Sequence, residues 1–140
     1  MNCFLDTNIW IRYFIGDDLK KQESVRELLE HIEQGFIRPY TSSIVLLEVQ
    51  WVLMSLYKSQ KHQVQEAVDI ILSTREMVVI DKTNFRSAFL LHKKIGLKLA
   101  DCLIATQIGK GITLCTYDKE FQKIPGLLIT DPSKAIKNIP

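Results

Sequence analysis

Short apolar runs alternate along the chain with longer segments in which apolar residues recur every three or four positions. The short runs lack the regular polar alternation of a half-exposed strand, which is typical of strands covered on both faces. They predict strands at residues 3–5, 77–80, 112–116 and 127–129. A less regular run at residues 36–41 is interrupted by Pro39 and predicts a less central strand.

The longer segments predict helices, because apolar residues with this spacing fall on one side of a helix. They lie at 9–15, 19–35, 43–57, 61–74, 85–96 and 97–108, followed by a helical turn at 119–123 and a polar tail from Asp131. The helix at 43–57 is apolar nearly all round, which predicts that it is buried. The alternation predicts one α/β domain over residues 1–140, a three-layer sandwich with helices on both faces of a mostly parallel sheet.

Two acidic residues are isolated charges on apolar helices. Glu48 is the only charged residue between positions 44 and 57, and Asp101 is the only one from Leu99 until Lys110. An unpaired buried carboxylate costs several kcal/mol (roughly 3–5 when its partner is lost), so each needs compensation. For Glu48 the ordinary alternative is a salt bridge to an arginine or a position that reaches the surface.

Two further acids follow buried strands. Asp6 comes directly after the first strand, and Asp118 comes shortly after the strand at 112–116. Open α/β sheets place their ligands at the carboxyl ends of their strands, where these acids are predicted to lie. Each also has an ordinary alternative, because Asp6, Thr7 or Asn8 could cap the next helix and Asp118 could be a turn residue.

The amino-acid composition indicates a folded soluble protein but does not indicate its function. Hydrophobic residues make up 46% and charged residues 24% of the chain, as in folded soluble proteins, and the net charge of +2 neither demands nor excludes a polyanionic partner. Cys3, Cys102 and Cys115 are set among apolar neighbours, which predicts reduced core thiols. With no signal peptide and no apolar run long enough for a membrane, we expect a cytoplasmic protein.

The four acids are predicted to converge, because strand carboxyl ends and the amino ends of the following helices lie at one edge of a parallel sheet. Two carboxylates about 4 Å apart repel by roughly 4 kcal/mol at an effective dielectric constant of about 20. A hard divalent cation relieves this repulsion, and oxygen ligands favour Mg²⁺ or Mn²⁺ over zinc. Such an ion supports phosphodiester hydrolysis, so the sequence predicts a metal-dependent nuclease. The three histidines are scattered and none pairs with a serine or cysteine in a recognisable triad motif, and no glycine-rich phosphate loop follows a strand.

Four motifs resemble those of PIN-domain ribonucleases, in order and over nearly the whole chain. They are Asp6-Thr7-Asn8, the stretch 43–51 with Glu48, Ala100-Asp101-Cys102-Leu103-Ile104-Ala105, and Thr116-Tyr117-Asp118. The compact size and residues 6–13 are similar to VapC-type toxins of toxin–antitoxin pairs. Cys102 stands where the family pattern leads us to expect alanine, a change between two small apolar residues.

The resemblance implies a function for each motif residue. Asp6, Glu48, Asp101 and Asp118 would bind Mg²⁺ or Mn²⁺, and a water activated there would attack an RNA phosphodiester. Asn8 and Thr116 would steady the acids through hydrogen bonds. Basic residues near the motifs could guide the RNA backbone. These candidates are Arg12, Lys93, Lys94, Lys98, Lys110 and Lys119.

The resemblance also implies partners, namely an RNA substrate, a cognate antitoxin and a second copy in a homodimer. Trp10, Tyr13 and Phe14, with the helix at 19–32 and the region 51–57, could form a groove for an amphipathic antitoxin segment. An antitoxin arginine or lysine could reach the acids and block the metal. The alternatives are a catalytically silent PIN-like module that binds RNA or protein, and a housekeeping RNA-processing nuclease without antitoxin.

Overall fold

Strands and helices alternate through most of the computed structural model, which describes residues 1–137 and 139. In this part of the chain the strands are β1 (Asn2–Leu5), β2 (Arg38–Ser42), β3 (Val78–Ile80), β4 (Ile112–Cys115) and β5 (Ile129–Thr130). The helices are α1 (Thr7–Phe14), α2 (Leu19–Glu33), α3 (Ser43–Ser55), α4 (Lys61–Ser73), α5 (Phe85–Ile95), α6 (Leu99–Gln107) and α7 (Pro132–Lys137). A 3₁₀ helix, Lys119–Lys123, follows β4.

The strands form one sheet in the order β3-β2-β1-β4-β5, and every neighbouring pair is parallel. Parallel neighbours need crossover connections, which the helices supply. This architecture confirms the predicted three-layer α/β fold with a parallel sheet. β1 is the central strand, so its carboxyl end, and Asp6 directly after it, lies in the middle of one sheet edge.

The core is built around β1 and the first helices. Cys3, Phe4 and Leu5 have no exposed surface, as predicted for a strand covered on both faces. Burying a side chain of the size of leucine or phenylalanine contributes about 2–3 kcal/mol, so this short strand is strongly fixed. All three cysteines are buried and free, which confirms the prediction of core thiols.

Pro39 lies in an interior strand, since β2 pairs with both β1 and β3. A proline in this position is tolerated because of the register. The Arg38 N–H donates towards β1, to the carbonyl of Met1 at 2.8 Å, so position 39 faces the other side. Pairing with β3 begins only at Tyr40, and no ladder hydrogen bond is lost at the proline.

The prediction that the helix at 43–57 is buried all round is wrong. In α3 only Val45, Val49 and Leu53 are buried, and they form a single stripe against the core. Leu47 and Trp51 are each 64% exposed. A helix that is apolar on every side is therefore not always buried on every side. One apolar face of α3 stays exposed, and exposed apolar patches are typical of interaction surfaces.

The apolar groove predicted near the amino end has a different lining in the structure. Trp10 has no exposed surface and belongs to the core, so it lines no groove. Tyr13 and Phe14 pack partly buried against the core, whereas Leu19 at the start of α2 is 74% exposed.

The polar tail predicted from Asp131 is a helix over most of its length. Asp131 Oδ1 accepts a hydrogen bond from the Lys134 N–H at 2.9 Å, and Pro132 is the first residue of α7, where its missing N–H costs nothing. Ala135 is buried, and Ser133 Oγ donates to Ser24 Oγ of α2 at 3.2 Å. Residues 138 and 140 of the predicted tail lie outside the described residues.

Over residues 1–137 and 139, none of the helices has both the length and the apolar character needed to cross a bilayer.

Candidate active site

Asp6 lies at the junction between β1 and α1 and is only 4% exposed. Its Oδ1 accepts a hydrogen bond from the N–H of Thr7 at 2.8 Å. Its Oδ2 accepts from Asn8 Nδ2 at 3.1 Å and from Thr116 Oγ1 at 2.7 Å. The carboxylate therefore caps the helix, as the ordinary alternative predicted, and also lines the cleft described below.

Asn8 and Thr116 form a hydrogen-bonded link between α1 and the end of β4. Asn8 Nδ2 donates to Thr116 Oγ1 at 3.1 Å, and the N–H of Tyr117 donates to Asn8 Oδ1 at 3.1 Å. Thr116 Oγ1 also accepts from the N–H of Asp118 at 2.9 Å. Because these segments are more than 100 residues apart in sequence, the network fixes the first and last acidic motifs relative to each other.

Glu48 comes from α3, in the second turn after the Ser42 cap. Its Oε1 accepts a hydrogen bond from Thr7 Oγ1 at 2.9 Å. In the part of the chain that the structure describes, Glu48 takes part in no salt bridge, so the arginine pair considered as an alternative is not formed. No local pattern in the sequence indicates the Thr7 contact, because the two residues are 41 positions apart.

Asp101 and Asp118 complete the set. Asp101 lies in the first turn of α6, and Asp118 caps the 3₁₀ helix by accepting from the N–H of Glu120 at 2.9 Å. All four acids, Asp6, Glu48, Asp101 and Asp118, line one cleft of about 210 Å³ at the carboxyl edge of the sheet. We call it the acidic cleft.

The surroundings favour the protonated form of three of these acids. Burial raises the pKa of Asp6 from 3.8 to about 6, assisted by the charges of Glu48 and Asp118 and opposed by the hydrogen bonds from Thr116 and Thr7. Burial, with the charges of Asp6 and Asp118, raises the pKa of Asp101 to about 6. Burial and the charge of Asp101 also raise the pKa of Glu48, although the Thr7 hydrogen bond and Lys98 oppose this.

The donor set suits a hard divalent cation, since every acidic ligand offers oxygen and burial leaves the negative charge of Asp6 and Asp101 poorly solvated. Within residues 1–137 and 139, no three or more acidic, histidine or cysteine side chains lie close enough to form a ready-made metal centre. The acids thus line the cleft without forming a closed shell of ligands.

Of the predicted basic contacts in and around the motifs, two line the acidic cleft. Arg12 does so while forming a salt bridge to Asp17 at 2.9 Å, and Lys98 does so from the residue before α6. Lys110 is not brought to the cleft. It lines a separate pocket before the amino end of β4, which is the opposite edge of a parallel sheet.

Sequence comparison decides the family, because the PIN domain family model matches residues 3–127. The chain belongs to the PIN domain family. All four acids of the cleft fall inside the matched range. The family predicted from the four motifs is therefore confirmed.

Within the PIN domain family, the chain is similar to VapC proteins. The chain is 25% identical over 122 residues to the VapC ribonuclease of Aquifex aeolicus (strain VF5), a match that covers 86% of this chain and 90% of the relative. Among solved structures, VapBC2 from Rickettsia felis, bound to a promoter DNA fragment, is 27% identical with a TM-score of 0.66. That match covers 94% of this PIN domain and 98% of the other chain.

A second solved structure supports the fold alone. Mycobacterium tuberculosis VapC20, described as a sarcin-ricin loop cleaving toxin, superposes with a TM-score of 0.67 at 20% identity. The match covers 90% of this chain and 96% of VapC20. The predicted similarity to VapC-type PIN domains is thus confirmed in both sequence and fold.

Proposed function

We propose that this PIN domain is a metal-dependent endoribonuclease that hydrolyses RNA phosphodiester bonds and acts as the toxin of a toxin–antitoxin pair in the cytoplasm. One observation carries the proposal most directly: four acids from distant parts of the chain line the same cleft. The similarity to the VapC ribonuclease of Aquifex aeolicus and to the VapBC2 structure supports the substrate class and the partner.

Asp6, Glu48, Asp101 and Asp118 are the residues that would hold Mg²⁺ or Mn²⁺. When bound, such an ion supplies a Lewis acid for a phosphate oxygen and lowers the pKa of water. Asp6, Glu48 and Asp101 would supply negative charge that attracts the ion. Burial makes this charge poorly solvated, which raises the pKa of all three acids.

The remaining polar residues orient the acids and the substrate. Asn8 and Thr116 hold Oδ2 of Asp6 in one direction, and Thr7 holds Oε1 of Glu48. Hydrogen bonds of this kind preserve ligand geometry and typically affect activity by about 10–100-fold when removed. Arg12 and Lys98 line the same cleft and would bind phosphate oxygens of the RNA.

The exposed face of α3 supports the proposed protein partners, a cognate antitoxin and a second copy of the chain. Leu47, Trp51 and Met54 are each more than half exposed, at 64%, 64% and 55%. Apolar side chains clustered on one helix are typical of interaction surfaces. The toxin would be favoured over a housekeeping nuclease by a short neighbouring reading frame that encodes a DNA-binding protein. That protein should also co-purify with this chain.

Cleavage of RNA by the purified protein tests the activity. We expect cleavage with Mg²⁺ or Mn²⁺, none with EDTA, and a loss of at least about a hundredfold in Asp101→Asn, because a charge at the reacting centre is removed. Asp69→Asn is the matched control, since Asp69 is an exposed acid on α4 outside the cleft. Wild-type protein that binds RNA without cleaving it would instead support the catalytically silent module. Unchanged cleavage in Asp101→Asn would show that the site assignment is wrong.

A further inference from the structure

Besides the acidic cleft, a second pocket of about 360 Å³ lies near the end of β4. The two share one short segment, because Tyr117 lines this pocket and the next residue, Asp118, lines the cleft. The pocket is formed by the start of α2 and by α7, the helix that the sequence did not predict. Its basic lining residues are Lys20, Lys21, Lys134 and Lys137. We call it the lysine pocket.

Positive charge in the lysine pocket is only partly neutralised. Its two acids, Asp18 and Asp131, act as helix caps, because each accepts a backbone N–H from its own helix, at 3.1 and 2.9 Å. Asp131 also pairs with Lys134 at 3.5 Å. Among the described residues, the other three lysines form no salt bridge.

Tyr117 connects the lysine pocket rigidly to the acidic cleft. The Lys21 Nζ lies 4.8 Å from the centre of the Tyr117 ring, and the Tyr117 hydroxyl donates to the Lys21 carbonyl at 3.5 Å. The Tyr117 N–H donates to Asn8, which in turn donates to Asp6. A strand bound at the lysines would therefore have a defined position relative to the acids.

The acidic cleft alone is a poor binding site for a polyanion. Four carboxylates line it, against the two cations Arg12 and Lys98. Without a metal ion the cleft repels phosphate, so binding energy for an RNA strand has to come from basic groups nearby. In the lysine pocket the balance is reversed, with four lysines against two aspartates.

We propose that the lysine pocket binds the backbone phosphates of a single-stranded RNA adjacent to the phosphodiester that lies in the acidic cleft. The inference rests on the proposed ribonuclease function and adds a binding site to it. Lysines that line a groove and an aromatic ring beside them are the combination that single-strand-binding proteins use. The contacts reach phosphates, so they supply affinity and register without reading bases.

The test measures RNA binding without cleavage. A labelled single-stranded RNA of about 12 nucleotides is titrated in EDTA, and binding is followed by fluorescence anisotropy at several salt concentrations. The variant Lys20→Gln/Lys137→Gln removes two exposed charges of the pocket. If both contact phosphates, the slope of log K against log salt becomes shallower by about 1.4, and affinity at low salt falls by roughly tenfold.

Two control variants test whether the effect depends on the positive charge and on its position in the lysine pocket. Lys58→Gln/Lys61→Gln removes two exposed lysines that line a different pocket, and it should bind RNA like the wild type. Lys20→Arg/Lys137→Arg keeps the charges and should retain the wild-type slope. Equal slopes in the wild type and in Lys20→Gln/Lys137→Gln, or no RNA binding by the wild type, would overturn the lysine pocket.

Cleavage assays with Mg²⁺ separate this inference from the proposed function. We expect Lys20→Gln/Lys137→Gln to raise KM for RNA and to leave kcat unchanged, because neither lysine lines the acidic cleft. A protein that shows the lysine-dependent slope but never cleaves RNA would overturn the nuclease and support the pocket. A protein that cleaves RNA with unchanged KM in this variant would overturn the pocket alone.

Discussion

The strand side and the helix side of the acidic cleft hold their carboxylates in different ways. On the strand side, Asp6 accepts three hydrogen bonds, and its neighbours Asn8, Thr116 and Asp118 are joined in one network. On the helix side, Glu48 accepts one hydrogen bond, from Thr7. From the described residues Asp101 receives no side-chain hydrogen bond.

The difference separates two requirements of a metal site. The strand side supplies geometry, because its donors fix the direction in which the Asp6 oxygens point. Burial raises the pKa of acids on both sides, Asp6 as well as Glu48 and Asp101, but on the helix side few hydrogen bonds offset the cost of the charge. Breaking the strand side should therefore cost stability, whereas neutralising the helix side should increase stability and remove function.

The largest loss of stability is expected from Thr116→Val, on the strand side. Thr116 is 4% exposed, and valine has its shape without the hydroxyl. The change removes the donor to Asp6 and leaves Asn8 Nδ2 and the Asp118 N–H without this acceptor. We expect unfolding to become easier by about 1–3 kcal/mol and cleavage to slow by roughly 10–100-fold. Denaturant titration and single-turnover cleavage measure the two effects.

Thr113→Val, in the strand that Thr116 directly follows, is the matched control for Thr116→Val. Thr113 is half-buried in β4, four residues before Tyr117, and its side chain does not take part in the site's hydrogen bonds. Its replacement should change stability by less than about 0.5 kcal/mol. Equal losses in the two variants would mean that the network contributes nothing beyond ordinary packing of the strand.

Asp101→Asn, on the helix side, is expected to stabilise the metal-free protein. The pKa of Asp101 is raised from 3.8 to about 6, so its ionised form opposes folding above that pH. The shift corresponds to about 3 kcal/mol, which partial exposure reduces to about 1–2 kcal/mol. Urea titration in EDTA at about pH 8 should show this gain, together with the loss of cleavage.

The pH dependence gives the sign of the Asp101 effect. The folded carboxylate takes up a proton near pH 6 and the unfolded one near 3.8, so the destabilisation disappears as pH falls between these values. The gap between Asp101→Asn and wild type should therefore close towards about pH 4. The control Asp69→Asn replaces an exposed acid and should leave the free energy of unfolding within about 0.5 kcal/mol of the wild type. A gap that stays constant with pH would contradict the assigned cause.

The smallest effect is expected from Thr7→Val, which cuts the link between the two sides. The change removes the hydrogen bond to Glu48 Oε1 and raises the pKa of Glu48 further, since that bond lowers it. We expect a loss of about 0.5–1 kcal/mol in denaturant titrations, and cleavage slowed by about tenfold. Thr7→Ser keeps the hydroxyl and should restore both. A Thr7→Val variant that is as stable and as active as the wild type would contradict a role for this hydrogen bond.

The positions of the acids could be predicted from sequence, whereas the contacts that hold them could not. Asp6 follows an apolar run, and Asp101 interrupts an apolar helix, so local patterns were sufficient to mark both. The bond from Thr7 to Glu48 spans 41 residues and depends on how α1 and α3 pack. A threonine beside a helix start looks like a cap in sequence, so nothing local distinguishes its second role.

In the fold, likewise, features set by local sequence patterns could be predicted, and features set by tertiary packing could not. The parallel sheet was predictable because apolar runs alternate with helical segments. The environment of α3 was not, since an apolar helix face can meet either the core or a partner, and only the tertiary structure shows Trp51 to be exposed. α7 was missed because its polar composition hides the two buried residues, Pro132 and Ala135, that pack it onto the domain.

Calorimetric titration of the metal-free protein with Mg²⁺ tests the central claim that the two sides form one cation site. Below about pH 7, wild-type protein should bind Mg²⁺ with release of protons, because Asp6 and Asp101 are partly protonated there. Asp6→Asn and Asp101→Asn should each weaken binding at least about tenfold, and Asp69→Asn should not. Binding of equal strength in all four proteins would contradict the account.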